Sequence, residues 1–415
     1  MTVTTVPPDL AAQQRRTLTV LVASQILSGA GLAAGITVGA LLAQDMLGGA
    51  GLAGLPSTLF TAGSALTAVV VGRLSQARGR RPGLVLGYST GAVGSILVIA
   101  AAVAGSPLLL FPALFLYGAG TASNLQARYA GADLAARTHR GRALSTVLVA
   151  TTVGGVVGPN LAAPAGEFAR TLGIPVLAGP FVFSGLAYAL AAIVLAGWLR
   201  PDPLVLARSV ATDAPAAAGG EQHGGQGSVV VGALVMVLSQ LVMVSIMTMT
   251  PIHMHDHGLG TAASGLVIGV HVAAMYLPSL LTGWLVDRFG ALRTAAAGAV
   301  TLLAAGLLAG VAPGGSITAL SVALGLLGVG WNLGLVSGTA LVTDALPLET
   351  RAKTQGLVDV SIALAGAAGG MSSGIVVATA SYPVLANTGG LLALALLPVL
   401  AAGSVTVRRR SSGPV

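Results

Sequence analysis

The chain has 415 residues, of which 54% are hydrophobic and only 8% are charged, and its formal net charge is +8. Soluble domains carry about 25% charged residues, so this composition excludes a water-exposed globular fold and indicates a protein embedded in lipid. Cysteine is absent, which excludes disulfides, iron–sulfur ligation and thiol catalysis. The basic residues form small groups without a basic stripe, which argues against a nucleic-acid partner.

Successive apolar segments in the chain are long enough to cross a bilayer as helices, which takes about 20 residues each. Three long apolar stretches are divided by turn signals, at Gly105-Ser106-Pro107, Pro313-Gly314-Gly315-Ser316 and Tyr382-Pro383. We therefore predict an all-α integral membrane protein with twelve transmembrane helices. The predicted spans are 17–43, 55–74, 83–104, 108–130, 143–166, 174–199, 229–252, 261–285, 294–312, 317–342, 355–380 and 386–407.

The basic residues give the expected orientation, because Lys and Arg concentrate on the cytoplasmic side of a membrane protein. With twelve spans, all of the 20 Lys and Arg residues lie on one side of the membrane except two. Arg170 lies on the other side, and Arg128 lies inside span 4. We therefore expect a multi-pass protein of the cell membrane with both termini in the cytoplasm.

The sequence repeats itself at one constant offset, since 283 − 72, 344 − 133 and 366 − 155 all equal 211. The matched pairs are Gly72 and Gly283, Leu74 and Leu285, Gly79 and Gly290, Asp133 and Asp344, Arg140 and Arg351, Arg142 and Lys353, Gly155 and Gly366, and Gly158 and Gly369. The repeat predicts a first six-helix half over 1–199 and a second over 229–407. Residues 200–228, rich in Pro and Gly, are predicted to be a flexible cytoplasmic linker, and 408–415 a cytoplasmic tail.

The loop after span 2 contains a motif rich in glycine and arginine. It runs from Gly72 through Gly79 to Arg80 and Arg81, and it resembles the Gly-x-Leu-Ala-Asp-Arg-x-Gly-Arg-Arg loop of the major facilitator superfamily. The second copy contains Gly283, Asp287, Arg288 and Gly290. The resemblance covers the whole chain, and it implies two parallel six-helix halves with substrate bound near the membrane midplane. In the first copy Gln76 replaces the family's acid, so we expect the cytoplasmic contact of this loop to be built differently.

Two further family motifs are compared with spans 4 and 5. Gly154, Gly158 and Pro159 resemble the Gly-x-x-x-Gly-Pro motif associated with exporters of the family, although small residues at this spacing also serve as a packing face. Span 4 departs from the family pattern, because Phe115 stands where an arginine precedes Gly118-x-Gly120. Proton coupling through that arginine is therefore unsupported.

Three residues that can carry a charge near neutral pH lie well inside predicted spans. Asp359 in span 11 is a candidate proton or cation carrier, or alternatively the partner of Arg73 in a cytoplasmic latch. Arg128 in span 4 is a candidate contact for an anionic substrate, or alternatively a side chain that extends to the interface and pairs with Asp133. His271 in span 8 is a second coupling candidate, or alternatively a hydrogen-bonded packing residue.

Amide side chains and an outer histidine cluster complete the candidate residues. The expected substrate-path amides are Gln25, Asn124, Asn160, Gln240 and Asn332, because amides in apolar helices face protein or water. His253, His255 and His257 lie in the loop after span 7 and suggest either a metal site or a polar helix end. No metal is expected, because neighbouring loop residues rarely complete a tetrahedral site alone.

Together these patterns predict a secondary active transporter of a small molecule. Our first hypothesis is an efflux carrier that uses alternating access. An uptake permease of the same fold is the alternative. A membrane enzyme or a membrane sensor is disfavoured, because no catalytic constellation lies at membrane depth and no soluble domain is inserted. We expect no cofactor, no ATP-binding loop, a lipid-embedded monomer and a small-molecule substrate, with protons as a candidate coupling ion.

Overall fold

The computed structural model describes residues 8–47, 55–213, 226–398 and 400–401, and no strand occurs among them. The side chains of several stretches, including 155–160 and 162–163, lie outside this description. The helices are α1 (Pro8–Leu47), α2 (Leu55–Arg78), α3 (Arg80–Val103), α4 (Pro107–Ala132), α5 (Arg140–Asn160), α6 (Ala162–Thr171), α7 (Gly179–Trp198), α8 (Pro203–Asp213), α9 (Gln226–Asp256), α10 (Thr261–Tyr276), α11 (Ser279–Phe289), α12 (Ala291–Val311), α13 (Ile317–Ala345), α14 (Arg351–Thr379) and α15 (Tyr382–Ala393).

Predicted spans 1 to 11 each coincide with one helix or with two consecutive helices, and span 12 coincides in part with α15. Residues 402–407 of span 12 and the predicted tail 408–415 lie outside the described residues. Within the described residues, nine helical segments are long and apolar enough to cross a membrane, and Tyr382–Pro398 is a shorter apolar helix. The predicted all-α membrane fold is therefore confirmed.

Two spans differ from the prediction because they are interrupted. Span 5 divides into α5 and α6 at Leu161, two residues after Pro159. Span 8 divides into α10 and α11 beside Pro278. Proline has no backbone N–H and its ring clashes with the preceding helical turn, so a break beside it is expected.

At span 12 a proline begins a helix instead of ending one, because Pro383 lies in the first turn of α15. Ser381 caps this helix by accepting a hydrogen bond from the Val384 N–H at 3.4 Å. The helix therefore begins earlier than the predicted residue 386.

The region predicted as a flexible linker contains helix α8. Asp202 caps the N-terminus of this helix, because its Oδ1 accepts hydrogen bonds from the Leu204 and Val205 N–H groups at 3.0 and 3.2 Å. Arg208 on α8 donates to the Gln76 and Leu348 carbonyl oxygens at 2.9 and 3.3 Å. The proline-rich composition concealed this helix, because its capping aspartate and first-turn proline are also turn residues.

Contacts between Cα atoms divide the chain into two compact units. The first comprises Met1–Ala136, Thr146–Gly220 and Leu348–Ala363. Its interior is filled by an aromatic cluster in which Tyr117 packs against Phe181 and Tyr188, with ring centroids 5.2 and 5.6 Å apart. Tyr88 stacks on Tyr188 at 5.9 Å.

The second unit comprises Arg137–Ser145, Glu221–Pro347 and Leu364–Val415. Its core is aliphatic, with α12 packed against α13 and α15, and α13 packed against α9 and α10. Buried Val235, Ala295, Ala299 and Leu396 form one of its clusters. Small side chains let these helices approach closely. In lipid, the van der Waals packing that results drives helix association in place of the hydrophobic effect.

Candidate functional site

The glycines of the repeated loop motif have the same two roles in each copy. Gly79 and Gly290, related by the 211-residue repeat, have φ angles of 99° and 88° and connect consecutive helices. Only glycine adopts such angles without strain. Gly72 and Gly283 lie at close helix contacts, where an added Cβ would fall 2.9 Å from the Ala352 carbonyl oxygen and 2.5 Å from the Gly141 carbonyl oxygen, respectively.

The side chain four residues after each contact glycine caps a neighbouring helix. In the second unit Asp287 accepts from the Gly141 and Arg142 N–H groups of α5, at 2.8 and 3.1 Å. In the first unit Gln76 Oε1 accepts from the Ala352 and Lys353 N–H groups of α14, at 2.8 and 3.4 Å. The amide thus reproduces the carboxylate's contact without its charge, so the contact that we expected to be built differently differs only in charge.

Gln76→Ala is expected to lower the free energy of unfolding by about 1 kcal/mol, the usual effect of removing a helix cap. The reason is that two N–H groups at the start of α14 lose their acceptor, and the Leu348 carbonyl oxygen loses the 2.9 Å bond that Gln76 Nε2 donates to it. Thermal unfolding in detergent measures the change, with exposed Arg78→Ala as the control. Equal stability of the two variants would show that the cap contributes nothing.

A buried ion pair follows the first loop motif. Arg80 donates to both Asp133 carboxylate oxygens, at 2.7 and 3.2 Å, and to Gln355 Oε1 on α14 at 2.6 Å. Arg80 is 1% exposed, so this cation lies in a low-dielectric site where an unpaired charge would be costly. The repeat places Ala291 at the position of Arg80, and Arg288 of the second motif is exposed.

A second buried ion pair lies within the spans themselves. Arg128 Nη2 on α4 donates to Asp359 Oδ1 on α14 at 2.7 Å, and both side chains are at most 3% exposed. The predicted partners were therefore wrong for both residues: Asp359 does not pair with Arg73, which is exposed, and Asp133 pairs with Arg80. Arg128 on α4 and Asp359 on α14 both lie within the first unit, where they meet.

Tyr129 connects the two ion pairs. Its hydroxyl donates to Asp359 Oδ1 at 3.2 Å and accepts from Arg128 Nη2 at 3.0 Å. Its ring lies 4.3 Å from the Arg128 guanidinium carbon and 5.9 Å from that of Arg80. Among the described residues Asp359 Oδ2 has no hydrogen-bond partner although it is enclosed. The arrangement therefore holds one carboxylate oxygen firmly and leaves the other able to take a proton.

Three of the predicted substrate-path amides are bonded within the protein. Gln25 Nε2 donates to Thr151 Oγ1 at 3.0 Å, and Asn124 Nδ2 donates to Ser28 Oγ at 2.9 Å. Asn332 Nδ2 donates to the Met275 carbonyl oxygen at 2.7 Å and to Ser279 Oγ at 2.8 Å. All three amides are buried, so their visible role is to join helices, and contact with substrate stays a prediction.

Gln240 differs from these amides because it is only half-buried. Its Oε1 accepts from Trp331 Nε1 at 2.7 Å. The side chains of Gly158, Pro159 and Asn160 lie outside the described residues. The remaining member of the span-5 motif, Gly154, lies against α1, where a Cβ would overlap the Ile26 carbonyl oxygen.

The histidines occupy packing positions. His271 Nδ1 is bonded to the Leu324 carbonyl oxygen at 2.8 Å and the residue is fully buried, so its coupling role stays a prediction. His253 stacks on Tyr382 with ring centroids 4.2 Å apart, and His257 Nδ1 bonds to the His253 carbonyl oxygen at 2.8 Å. In the part of the chain that the structure describes, no group of three or more His, Asp or Glu is arranged to hold a metal, and His255 is exposed.

Several residues at these sites were not identified from the sequence. Tyr129, Gln355 and Trp331 are ordinary residues in apolar helices, and only their contacts show a role. One signal was available for the central pair: Arg128 and Asp359 are oppositely charged residues inside predicted spans, and each charge needs a partner in lipid.

Comparison with known proteins identifies the family of the chain. The family model of the Major Facilitator Superfamily matches residues 21–275 and 232–414. The chain belongs to the Major Facilitator Superfamily. The predicted membership, and with it a multi-pass membrane protein that functions in transport, is thereby confirmed.

Individual superfamily members are similar over nearly the whole chain. A protein of Bacillus subtilis (strain 168) named as an uncharacterized MFS-type transporter, YdeG, is 56% identical over 400 residues, covering 95% of this chain and 93% of that protein. The riboflavin transporter RfnT of Brucella anthropi is 31% identical over 364 residues, covering 84% and 86%. The crystal structure of the human organic anion transporter MFSD10 (TETRAN) superposes with a TM-score of 0.74 at 17% identity, covering 95% and 100%, which supports the superfamily fold.

Proposed function

We propose that this chain is a secondary carrier that exports a small organic molecule across the cell membrane by alternating access, with protons as the coupling ion. The observation that carries the proposal is the ion pair between Arg128 on α4 and Asp359 on α14, buried within the spans. A second pair with both side chains this deeply enclosed, Arg80 and Asp133, lies at the end of α4.

The pair supports coupling because its stability depends on charge. Separating α4 from α14 would leave two unpaired charges in a medium where each costs several kcal/mol. A proton on Asp359 Oδ2, the oxygen without a described partner, removes one of these charges. Asp359 would then alternate between Arg128 in one access state and a proton in the other.

Export is proposed over uptake because Gly154, Gly158 and Pro159 follow the family's exporter motif, and Gly154 lies where close helix packing requires a small residue. Uptake through the same machinery is the second candidate. We take riboflavin as the first substrate to assay, because a relative that is 31% identical is named as a riboflavin transporter.

The test uses purified protein in proteoliposomes with radiolabelled riboflavin and an imposed pH gradient. Proton antiport, the mechanism of an exporter, accumulates riboflavin when the lumen is acidic, whereas symport accumulates it when the external medium is acidic. Accumulation that is equal with and without a gradient of either sign would refute proton coupling and leave facilitated diffusion.

The proposed topology places both termini and residues 200–228 in the cytoplasm. The chain contains no cysteine, so single cysteines at positions 215 and 255 report sidedness without interference. In intact cells a membrane-impermeant maleimide should label position 255 and leave position 215 unlabelled until the membrane is opened. Equal labelling of both positions from outside would overturn this orientation and with it the positive-inside argument.

A further inference from the structure

Three uncharged side chains of the second unit form a group that neither the ion pairs nor the helix caps explain. Trp331 on α13 donates to Gln240 Oε1 on α9 at 2.7 Å. Tyr276 on α10 packs edge-on against Trp331 with ring centroids 5.8 Å apart. Trp331 is 4% exposed, whereas Gln240 and Tyr276 are only half-buried. The buried indole thus supports an amide and a phenol ring that both retain accessible surface.

The tryptophan determines which end of the Gln240 amide is presented. An indole N–H can only donate, so the amide atom that faces it must be the oxygen. The Nε2 group therefore points away from Trp331, and it makes no hydrogen bond to any residue that the structure describes. It is also not one of the fully enclosed polar atoms of the described residues, so it retains some accessible surface.

Close helix packing keeps this amide group in place. An added Cβ at Gly366 on α14 would lie 3.1 Å from Gln240 Nε2. That distance is tighter than an ordinary van der Waals contact, so a side chain there would displace the amide. Glycine at this position leaves the donor in the orientation that Trp331 sets.

The group is confined to one copy of the repeat. Subtracting the offset of 211 places Gly29, Ala65 and Gly120 at the positions of Gln240, Tyr276 and Trp331. The first copy therefore forms its helix bundle with the smallest residues at all three positions. The repeat therefore does not require this group, which is a feature of the second copy.

We infer that Gln240, Tyr276 and Trp331 bind a planar, uncharged heteroaromatic compound that carries a ring carbonyl. The Nε2 donor matches a carbonyl oxygen, and the half-buried Tyr276 side chain offers an aromatic surface to a flat ring. The three residues carry no charge, so an ionised group placed among them would lack a partner. The inference rests on the proposed transport function, and it assigns Gln240 and Tyr276 to substrate contact and Trp331 to positioning them.

The experiment uses Trp331 as the reporter of binding. The chain has three tryptophans, and Trp198 and Trp284 are exposed, so Trp198→Phe with Trp284→Phe leaves Trp331 as the single emitter. The probes are acridone, a planar three-ring compound with one ring carbonyl, and acridan, in which a methylene replaces that carbonyl. Saturable quenching of Trp331 emission in detergent-solubilised protein measures each dissociation constant.

Gln240→Met keeps the side-chain size and removes the donor. It should raise the acridone dissociation constant about tenfold, the value of one hydrogen bond near 1.4 kcal/mol, and change that of acridan by less than about twofold. Tyr276→Leu should weaken both probes, and it provides a second variant if the first does not fold. Gln126→Met is the matched control, since its amide is buried in the first unit and donates to the Ala68 carbonyl oxygen at 2.8 Å.

Absence of saturable acridone quenching would overturn the inference, as would an equal loss of both probes in Gln240→Met. Binding in detergent needs no gradient. If riboflavin accumulation fails to respond to pH while acridone binds as expected, the coupling proposal falls and the binding site stands.

Discussion

Asp359→Asn should reduce riboflavin accumulation driven by a pH gradient by at least about tenfold, while riboflavin binding changes little. Asparagine keeps an oxygen that can accept from Arg128 and Tyr129 but cannot exchange a proton, so the coupled step loses its carrier. The measurement is the proteoliposome assay described above, run on the wild type and the variant at equal protein content.

Asp344→Asn is the matched control for this prediction. Asp344 also pairs with an arginine, Arg140, but its side chain is 45% exposed, so its charge is solvated whether or not it is paired. We expect its transport to stay within about twofold of the wild type. Undiminished gradient-driven transport in both Asp359→Asn and His271→Ala would contradict the mechanism, since these are its two coupling candidates.

Arg128→Met should lower the free energy of unfolding by about 3–5 kcal/mol, because it leaves Asp359 as an enclosed charge without its counterion. Adding Asp359→Leu to that variant should restore most of the stability, since two well-packed apolar residues often replace a buried ion pair without loss. The double variant should nevertheless show no pH-driven transport. The double variant would then be stable but uncoupled, which would separate the structural role of the ion pair from its role in proton coupling.

The measurement is a double-mutant cycle of thermal or denaturant unfolding, with the two single variants and the double variant. A double variant whose destabilisation equals the sum of the two single values would contradict a direct interaction between the residues. Membrane proteins unfold only in part in detergent, so unfolding is compared within a single detergent. The wild type, the two single variants and the double variant are therefore measured together.

The membrane fold could be predicted from the sequence because lipid imposes a strong constraint. Long apolar runs, charge asymmetry and the 211-residue repeat each follow from local sequence, and the helices occupy the predicted spans. Helix breaks were missed at Pro159 and Pro278, since a proline can either bend a membrane helix or end it, depending on its neighbours. The helix α8 was missed because its capping residues resemble a turn.

The pairing of the charges could not be predicted from position along the chain. Asp359 was assigned to Arg73 from the expected adjacency of spans 2 and 11, but which residue it meets depends on how each helix is rotated. Gln76 does contact α14, so that adjacency was correct, and the rotation instead directs Asp359 toward Arg128. The sequence also left the role of the amides open, because an amide in an apolar helix satisfies its bonds with another helix as readily as with a ligand.

The amide at Gln76 has a consequence for how pH data on this carrier are to be interpreted. A carboxylate at that cap, like Asp287 in the other copy, would add an acid that titrates beside α14. With glutamine there, acid cannot neutralise the side chain that caps α14. On the proposed mechanism, a change in transport with pH would therefore not arise from the loss of this helix cap.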